Sequence, residues 1–153
     1  YDGKKFKAGD KISEIVNETG LALREKEKDE EVPANKYMIG AGYIQNSDKK
    51  TVFYVTPYNT ESSATKILDT HIGGFDLDES KLADVEVAGG IKLGSTLDDV
   101  KKVFGETTEI YEGTNYNQYT YKSEEIYRSY VFKFSKEEGK VIGITWKNLV
   151  YND

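Results

Sequence analysis

The feature that most constrains this chain is a short phrase that it spells twice. The cleaner copy is Gly90-Ile91-Lys92-Leu93-Gly94-Ser95-Thr96-Leu97-Asp98-Asp99-Val100-Lys101-Lys102-Val103-Phe104-Gly105. It reads as a turn, a helix start and a complete short helix. Leu97, Val100, Val103 and Phe104 recur at helical spacing and form one apolar stripe. Either Ser95 with Asp98 or Thr96 with Asp99 has the spacing of a capping box. Asp98 and Asp99 set negative charge where the helix dipole favours it, and Lys101 and Lys102 follow toward the other end. Gly105 is expected to stop the helix in a left-handed conformation.

The earlier copy runs from Phe6 to Gly20. Gly94 follows Gly9 by 85 positions, and Gly105 follows Gly20 by the same interval. Under that offset Lys7 matches Lys92, Ile12 matches Leu97, Ile15 matches Val100 and Glu14 matches Asp99. Asp10 takes the place of Ser95 as the N-cap candidate, with the first helix expected from about Asp10 to Thr19. A tandem duplication is the reading: residues 1–88 form a first repeat and residues 89–153 a second, within one compact unit.

Two short amphipathic helices need something to cover, and the rest of the chain reads as strands. In the second half Thr107–Glu112, Tyr116–Lys122, Tyr127–Phe134 and Val141–Lys147 form a meander with Gly-containing turns. Period two puts Tyr130, Phe132, Phe134, Ile142, Ile144 and Trp146 on one apolar face. That face needs a cover, so Trp146 is expected to be largely buried. The other face carries Ser129, Val131, Lys133, Gly143, Thr145 and Lys147. The strand Tyr116–Lys122 is open to two readings: Tyr119 and Tyr121 face inward, leaving Tyr116, Gln118 and Thr120 outward, or the reverse.

The first half is less regular. Arg24–Glu31 is a mixed-charge run, read as a solvated loop or an extension of the preceding element. In Tyr37–Ile44, Tyr37, Ile39 and Tyr43 share one face, with Gly40 and Gly42 on the other where something packs closely. Asn46–Lys50 is a hairpin loop and Thr51–Thr56 a β-branched, aromatic strand. Ile67–Ile72 reads as another strand, broken by Gly73-Gly74, and Leu82–Val87 alternates strictly. The fold class is therefore α+β: tandem helix-plus-antiparallel-meander repeats, with the short helices on one face as the available cover for the apolar side of the strands.

Composition removes several function classes. The net charge of −6 over 153 residues argues against polyanionic partners, so no nucleic acid is expected. No apolar run approaches a membrane span, so no membrane insertion by this segment is expected. The chain opens on Tyr1 without an initiator Met, which reads as a processed or trimmed form. With no Cys and one His, thiolate chemistry is excluded and a His-dependent triad or His-based metal site is disfavoured. Asp76-Leu77-Asp78-Glu79 offers carboxylates but lacks the loop of an EF-hand. Ser62, Ser63, Thr65 and Lys66 imitate a Ser/Lys pair without its companion motifs. Asn17-Glu18-Thr19 is a glycosylation sequon inside an expected helix. No catalytic residue, metal or cofactor is expected.

Gly90–Gly105 also fits the pattern Gly-x-x-x-Gly-x-[Ser/Thr]-x-x-[acid]-Val with a helix ending in Phe-Gly, followed by a Tyr-containing meander from Tyr116 to Trp146. With the ending Gly139-Lys140-Val141-Ile142-Gly143-Ile144, the chain resembles the β-lactamase-inhibitory-protein-like superfold. That superfold is shared with outer-membrane-assembly lipoproteins of the SmpA/OmlA type, and the chain is also similar to lipoprotein-like proteins of Gram-positive gut bacteria. The resemblance covers about Val85 to Asn148, with Lys7–Gly20 carrying it in the first half. The absence of disulfides and the long stretch from Tyr58 to Ser80 depart from it.

The resemblance implies tandem repeats on one curved sheet whose open face holds a protein partner. The expectation is thus a non-enzymatic, extracellular or cell-surface bacterial module, with room for a lipid anchor upstream. It would bind a protein or cell-envelope component through Tyr116, Gln118, Thr120, Val131, Lys133, Thr145 and Lys147. The alternatives are a small-ligand or carbohydrate binder using exposed tyrosines, and last a cell-wall hydrolase using Asp76 and Asp78.

Overall fold

The structure is a computed structural model that describes residues 1–78, 84–123 and 128–148. Most of it is one antiparallel sheet with two short α-helices, an α+β arrangement. Helix α1 (Ile12–Thr19) precedes strands β1 (Ala22–Leu23), β2 (Glu31–Val32), β3 (Tyr43–Gln45), β4 (Thr51–Tyr58), β5 (Thr65–Lys66) and β6 (His71–Asp78). Helix α2 (Leu97–Phe104) precedes β7 (Ile110–Glu112), β8 (Tyr116–Lys122), β9 (Arg128–Ser135) and β10 (Val141–Asn148). Eight strands pair in the order β1-β3-β4-β6-β10-β9-β8-β7, and β2 pairs with β5 separately. Each half thus builds inward from its own edge, and the last strands of the two halves, β6 and β10, meet in the middle.

Register fixes the faces, because directly paired residues point the same way. Leu77, Ile144, Phe132 and Tyr119 form one row across β6, β10, β9 and β8. Val55, Phe75, Trp146, Tyr130 and Tyr121 form the next. Both helices cover this side. Ile12 and Ile15 of α1 cluster with Ile44, Phe53, Val55 and Leu77, while Val100 of α2 clusters with Phe132, Phe134 and Ile144.

The two helix starts repeat one hydrogen-bond plan. Lys7 N donates to Asp10 Oδ2 at 2.8 Å, and Lys92 N donates to Ser95 Oγ at 3.1 Å. Gly9 N donates to Ile72 O at 3.1 Å and Gly94 N to Val141 O at 2.8 Å, tying each turn to the start of its half's last strand. Ile72 N and Val141 N return the bond to Asp10 O and Ser95 O. Asp10 and Ser95 therefore cap turns rather than helices. Of the two capping-box readings the structure takes Thr96 with Asp99: Asp99 N donates to Thr96 Oγ1 at 3.2 Å, and Thr96 N to Asp99 Oδ2 at 2.9 Å. At α1 the N-cap is Lys11, which makes no such bond. Gly105 ends α2 at φ 81, ψ −157, outside the left-handed helical well that Gly20 occupies at φ 71, ψ 6.

Several expectations from periodicity are corrected by irregular pairing. Ile67–Asp69 is a 3₁₀ turn, and Gly73-Gly74 lies inside β6 instead of ending a strand. Gly73 is the extra residue of a bulge opposite Thr56 and Pro57. A second bulge in β10 pairs Val141 with Phe134 and Gly143 with Lys133, so Val141 enters the core and Ile142 stays half-buried. The charged run is exposed over most of its length, with one exception: Glu27 is 1% exposed, paired with Arg24 at 2.9 Å and accepting from Tyr43 N at 3.0 Å. Ile39 is 81% exposed, because the chain between Tyr37 and Tyr43 leaves regular pairing. Trp146 points to the helix side as expected but is only half-buried. Of the expected strand Thr107–Glu112 only β7 forms. Tyr127 and Leu82-Ala83 lie outside the described residues.

Candidate binding face

The other side of the sheet carries neither helix. Its register gives three rows. Tyr43, Tyr54, Asp76, Thr145, Val131 and Thr120 cross six strands in the first. Asp78, Gly143, Lys133, Gln118 and Tyr111 make the second. Thr56, Gly74, Lys147, Ser129 and Lys122 make the third. Every residue that period two assigns outward in β9 and β10 falls in these rows. For β8 the structure selects one of the two readings: Tyr119 and Tyr121 pack against Phe134 and Phe104 on the helix side, which leaves Tyr116, Gln118 and Thr120 outward. The expected residues Tyr116, Gln118, Thr120, Val131, Lys133, Thr145 and Lys147 are thus brought onto one surface.

That surface has a charged middle and aromatic flanks. At its centre Thr145 Oγ1 donates to Asp76 Oδ2 at 3.3 Å. Partial desolvation between the neighbouring strands pushes the carboxyl of the exposed Asp76 above its ordinary range, and the charge of Asp78 acts the same way. The Thr145 hydrogen bond and the charges of Lys133 and Lys147 oppose that rise. Lys133 Nζ lies 4.6 Å from the centre of the Tyr116 ring, a cation–π contact that fixes both side chains. Gly74 and Gly143 contribute no side chains, so the middle of the face is low.

Four tyrosines that strand periodicity alone did not nominate form the flank in the first half. Tyr43 and Tyr54 meet edge-on at 4.5 Å, and the Arg24 guanidinium sits 3.4 Å from the Tyr43 ring centre. Tyr37 and Tyr58 stack with centroids 4.1 Å apart. Gly73 permits that stack, since a Cβ there would come within 2.8 Å of Tyr37 Cε1. The signal was present in Thr51–Tyr58, where Tyr54, Thr56 and Tyr58 alternate with Phe53, Val55 and Pro57. On the opposite flank Tyr111 is 57% exposed and lies 5.9 Å from Tyr116.

The other chemical candidates dissolve into local structure. His71 Nδ1 is 3.3 Å from Thr60 Oγ1, at the end of β6. Lys66 donates to Asp29 at 3.0 Å, and that bond raises its pKa, the wrong direction for a general base. Asp76 and Asp78 share the open face with the core residue Leu77 between them. Among the described residues no three acidic or histidine side chains gather to hold a metal, and no helix is long and apolar enough to cross a membrane. Thr19 Oγ1 donates to Ile15 O within α1, so the sequon is helical.

No protein-family model matches the chain, and no curated protein or solved structure does either.

Proposed function

We propose that this protein is a non-enzymatic binding module whose open sheet face holds a protein or cell-envelope component. The observation that carries the reading is the continuous three-row face, polar and low in the middle, with tyrosines on both flanks. Tyr buries large area with few torsions to fix, which suits it to interfaces. The six strands β3, β4, β6, β10, β9 and β8 hold 42 residues, which at ~4.8 Å between strands and ~3.3 Å per residue give a patch of roughly 650 Å². That approaches the ~800 Å² per partner of a stable protein interface and is shallow for a small-molecule site.

The repeated hydrogen bonds at Gly9 and Gly94, and the inward order of both halves, support a tandem duplication with the β6–β10 pair at its centre. They also support the resemblance to the β-lactamase-inhibitory-protein-like superfold. With that resemblance, a place at the bacterial cell surface or outside the cell follows, with a lipid anchor upstream as one means of retention.

A photo-crosslinking amino acid placed at Thr145 or Val131 tests this against one placed at the exposed Asn17 of α1. Incubated with a cell-envelope fraction, the open-face positions should capture one macromolecular species, and Lys133→Glu with Lys147→Glu should weaken the capture strongly while the melting temperature stays nearly unchanged. Capture from Asn17 alone, or hydrolysis of cell-wall fragments that Asp76→Ala removes, would overturn the proposal.

A further inference from the structure

The helix side of the sheet holds a second feature. Helices α1 and α2 each cover their own half and leave the middle of the sheet between them. There a half-open cavity of about 750 Å³ remains, flanked by residues 1–7 on one side and 84–90 on the other. Well-packed interiors leave few voids larger than a water molecule, whereas small-molecule sites run to roughly 300–1,000 Å³.

Its floor is aromatic. Phe75, Trp146 and Tyr130 are consecutive cross-strand neighbours on β6, β10 and β9, and Phe53 lies 5.6 Å from Phe75. Phe75, Trp146 and Tyr130 remain half-buried, which leaves three large rings facing the space. The backbone of Ala88 lies close enough to the Tyr130 hydroxyl to oppose the rise that burial causes in its pKa, so this side of the cavity adjoins the floor.

The walls differ in charge. Lys4, Lys5 and Lys7 line one wall, and among the described residues none of them makes an ion pair. Across from them stand Asp84, already paired with Lys92 at 3.4 Å, and Glu86. Asp2 lies on the lysine side as well, so three unpaired lysines stand with two unpaired acids, Asp2 and Glu86, and the lining keeps an excess of positive charge in a chain whose overall charge is −6. An apolar floor beside a cationic wall matches a molecule with an apolar body and an anionic head.

We propose that this cavity binds a small anionic amphiphile, an aliphatic carboxylate being the simplest member of the class. Its apolar body lies on Phe75, Trp146 and Tyr130, and its head meets Lys4, Lys5 and Lys7. The site is on the opposite side of the sheet from the open face, so neither reading depends on the other.

Trp146 is the only tryptophan in the chain and sits in the floor, so its emission reports occupancy directly. The intact protein is titrated with decanoate and, separately, with decanol, both well below micelle-forming concentrations. Decanoate should produce a saturable change in emission. The triple variant Lys4→Glu, Lys5→Glu, Lys7→Glu should weaken decanoate about tenfold or more and leave decanol within about twofold, because the charge acts only on the head. A melting curve on the same sample checks that these exposed substitutions leave the fold intact. The proposal is overturned if decanoate gives no saturable change, if charge reversal leaves decanoate binding unaltered, or if it weakens both ligands alike.

Discussion

Helix α1 buries Ile12 and Ile15 but has no side-chain cap at Lys11, whereas α2 carries a complete capping box at Thr96 and Asp99 but buries only Val100 fully. The two helices have the same length and occupy matching places in the twice-spelled phrase. An isolated eight-residue helix is marginal in water, so each must draw support from outside its own backbone hydrogen bonds. In the first half that support is tertiary: the helix sinks into a large core shared with β3, β4 and β6. In the second it is divided between the local cap and Phe104, whose ring meets Tyr121, Tyr130 and Phe132 at 5.4, 4.9 and 5.1 Å. A matched pattern of residues therefore sets where a helix lies without setting what holds it there.

Substitutions at matched positions test that contrast. The largest effect belongs to Ile12→Ala, which removes a fully buried side chain and should cost about 2–5 kcal/mol in urea unfolding. Leu97→Ala, at the equivalent position, removes a half-buried one and should cost distinctly less. Equal losses would mean that the helices share one mode of support. Next comes the cap: Thr96→Ala should cost about 1 kcal/mol, while Lys11→Ala should leave the unfolding midpoint in place. If the two changes destabilise alike, the local contribution to α2 has been overestimated.

The smallest effect moves from the helices to the faces. Asp76 has a raised pKa in the folded chain, so the folded state binds a proton there more readily than the unfolded chain does. Its ionised form therefore lowers stability above that raised value, and the loss disappears as pH falls below the ordinary carboxylate range. Asp76→Asn should raise the melting temperature slightly near neutral pH, and the difference from the native chain should close by about pH 3. A difference that grows on acidification would mean that Asp76 is stabilised as the anion.

What the sequence made legible follows the same division between local and tertiary causes. The Thr96–Asp99 cap, the helical stripe and the faces of β9 and β10 depend on spacing within a few residues, and spacing is what a sequence displays. The bulges at Gly73 and Ile142 depend on how two distant strands register, so period two placed Ile142 in the core where Val141 lies. Trp146 was assigned to the correct face, but its half-exposure follows from the gap between two helices that only the assembled sheet creates. Glu27 looked like one more charge in a solvated run. Its burial is set by Arg24 beside it and by the Tyr43 backbone N–H, 16 residues further along the chain. The tyrosines of β4 could have been nominated with the rule already used for β9, whereas Tyr37 could not, since its place over Gly73 requires the irregular path between Tyr37 and Tyr43.

The meeting of β6 and β10 has a consequence for the order of assembly. As the chain emerges during synthesis, β6 is made long before its central partner, since α2 and three more strands must follow first. Until β10 arrives, an eight-residue strand with Phe75 on it is an unprotected edge of the first half, the kind of template that recruits other chains. Completion of the sheet is thus a non-local event late in folding, and the period before it is when this protein is most exposed to mispairing with its own copies.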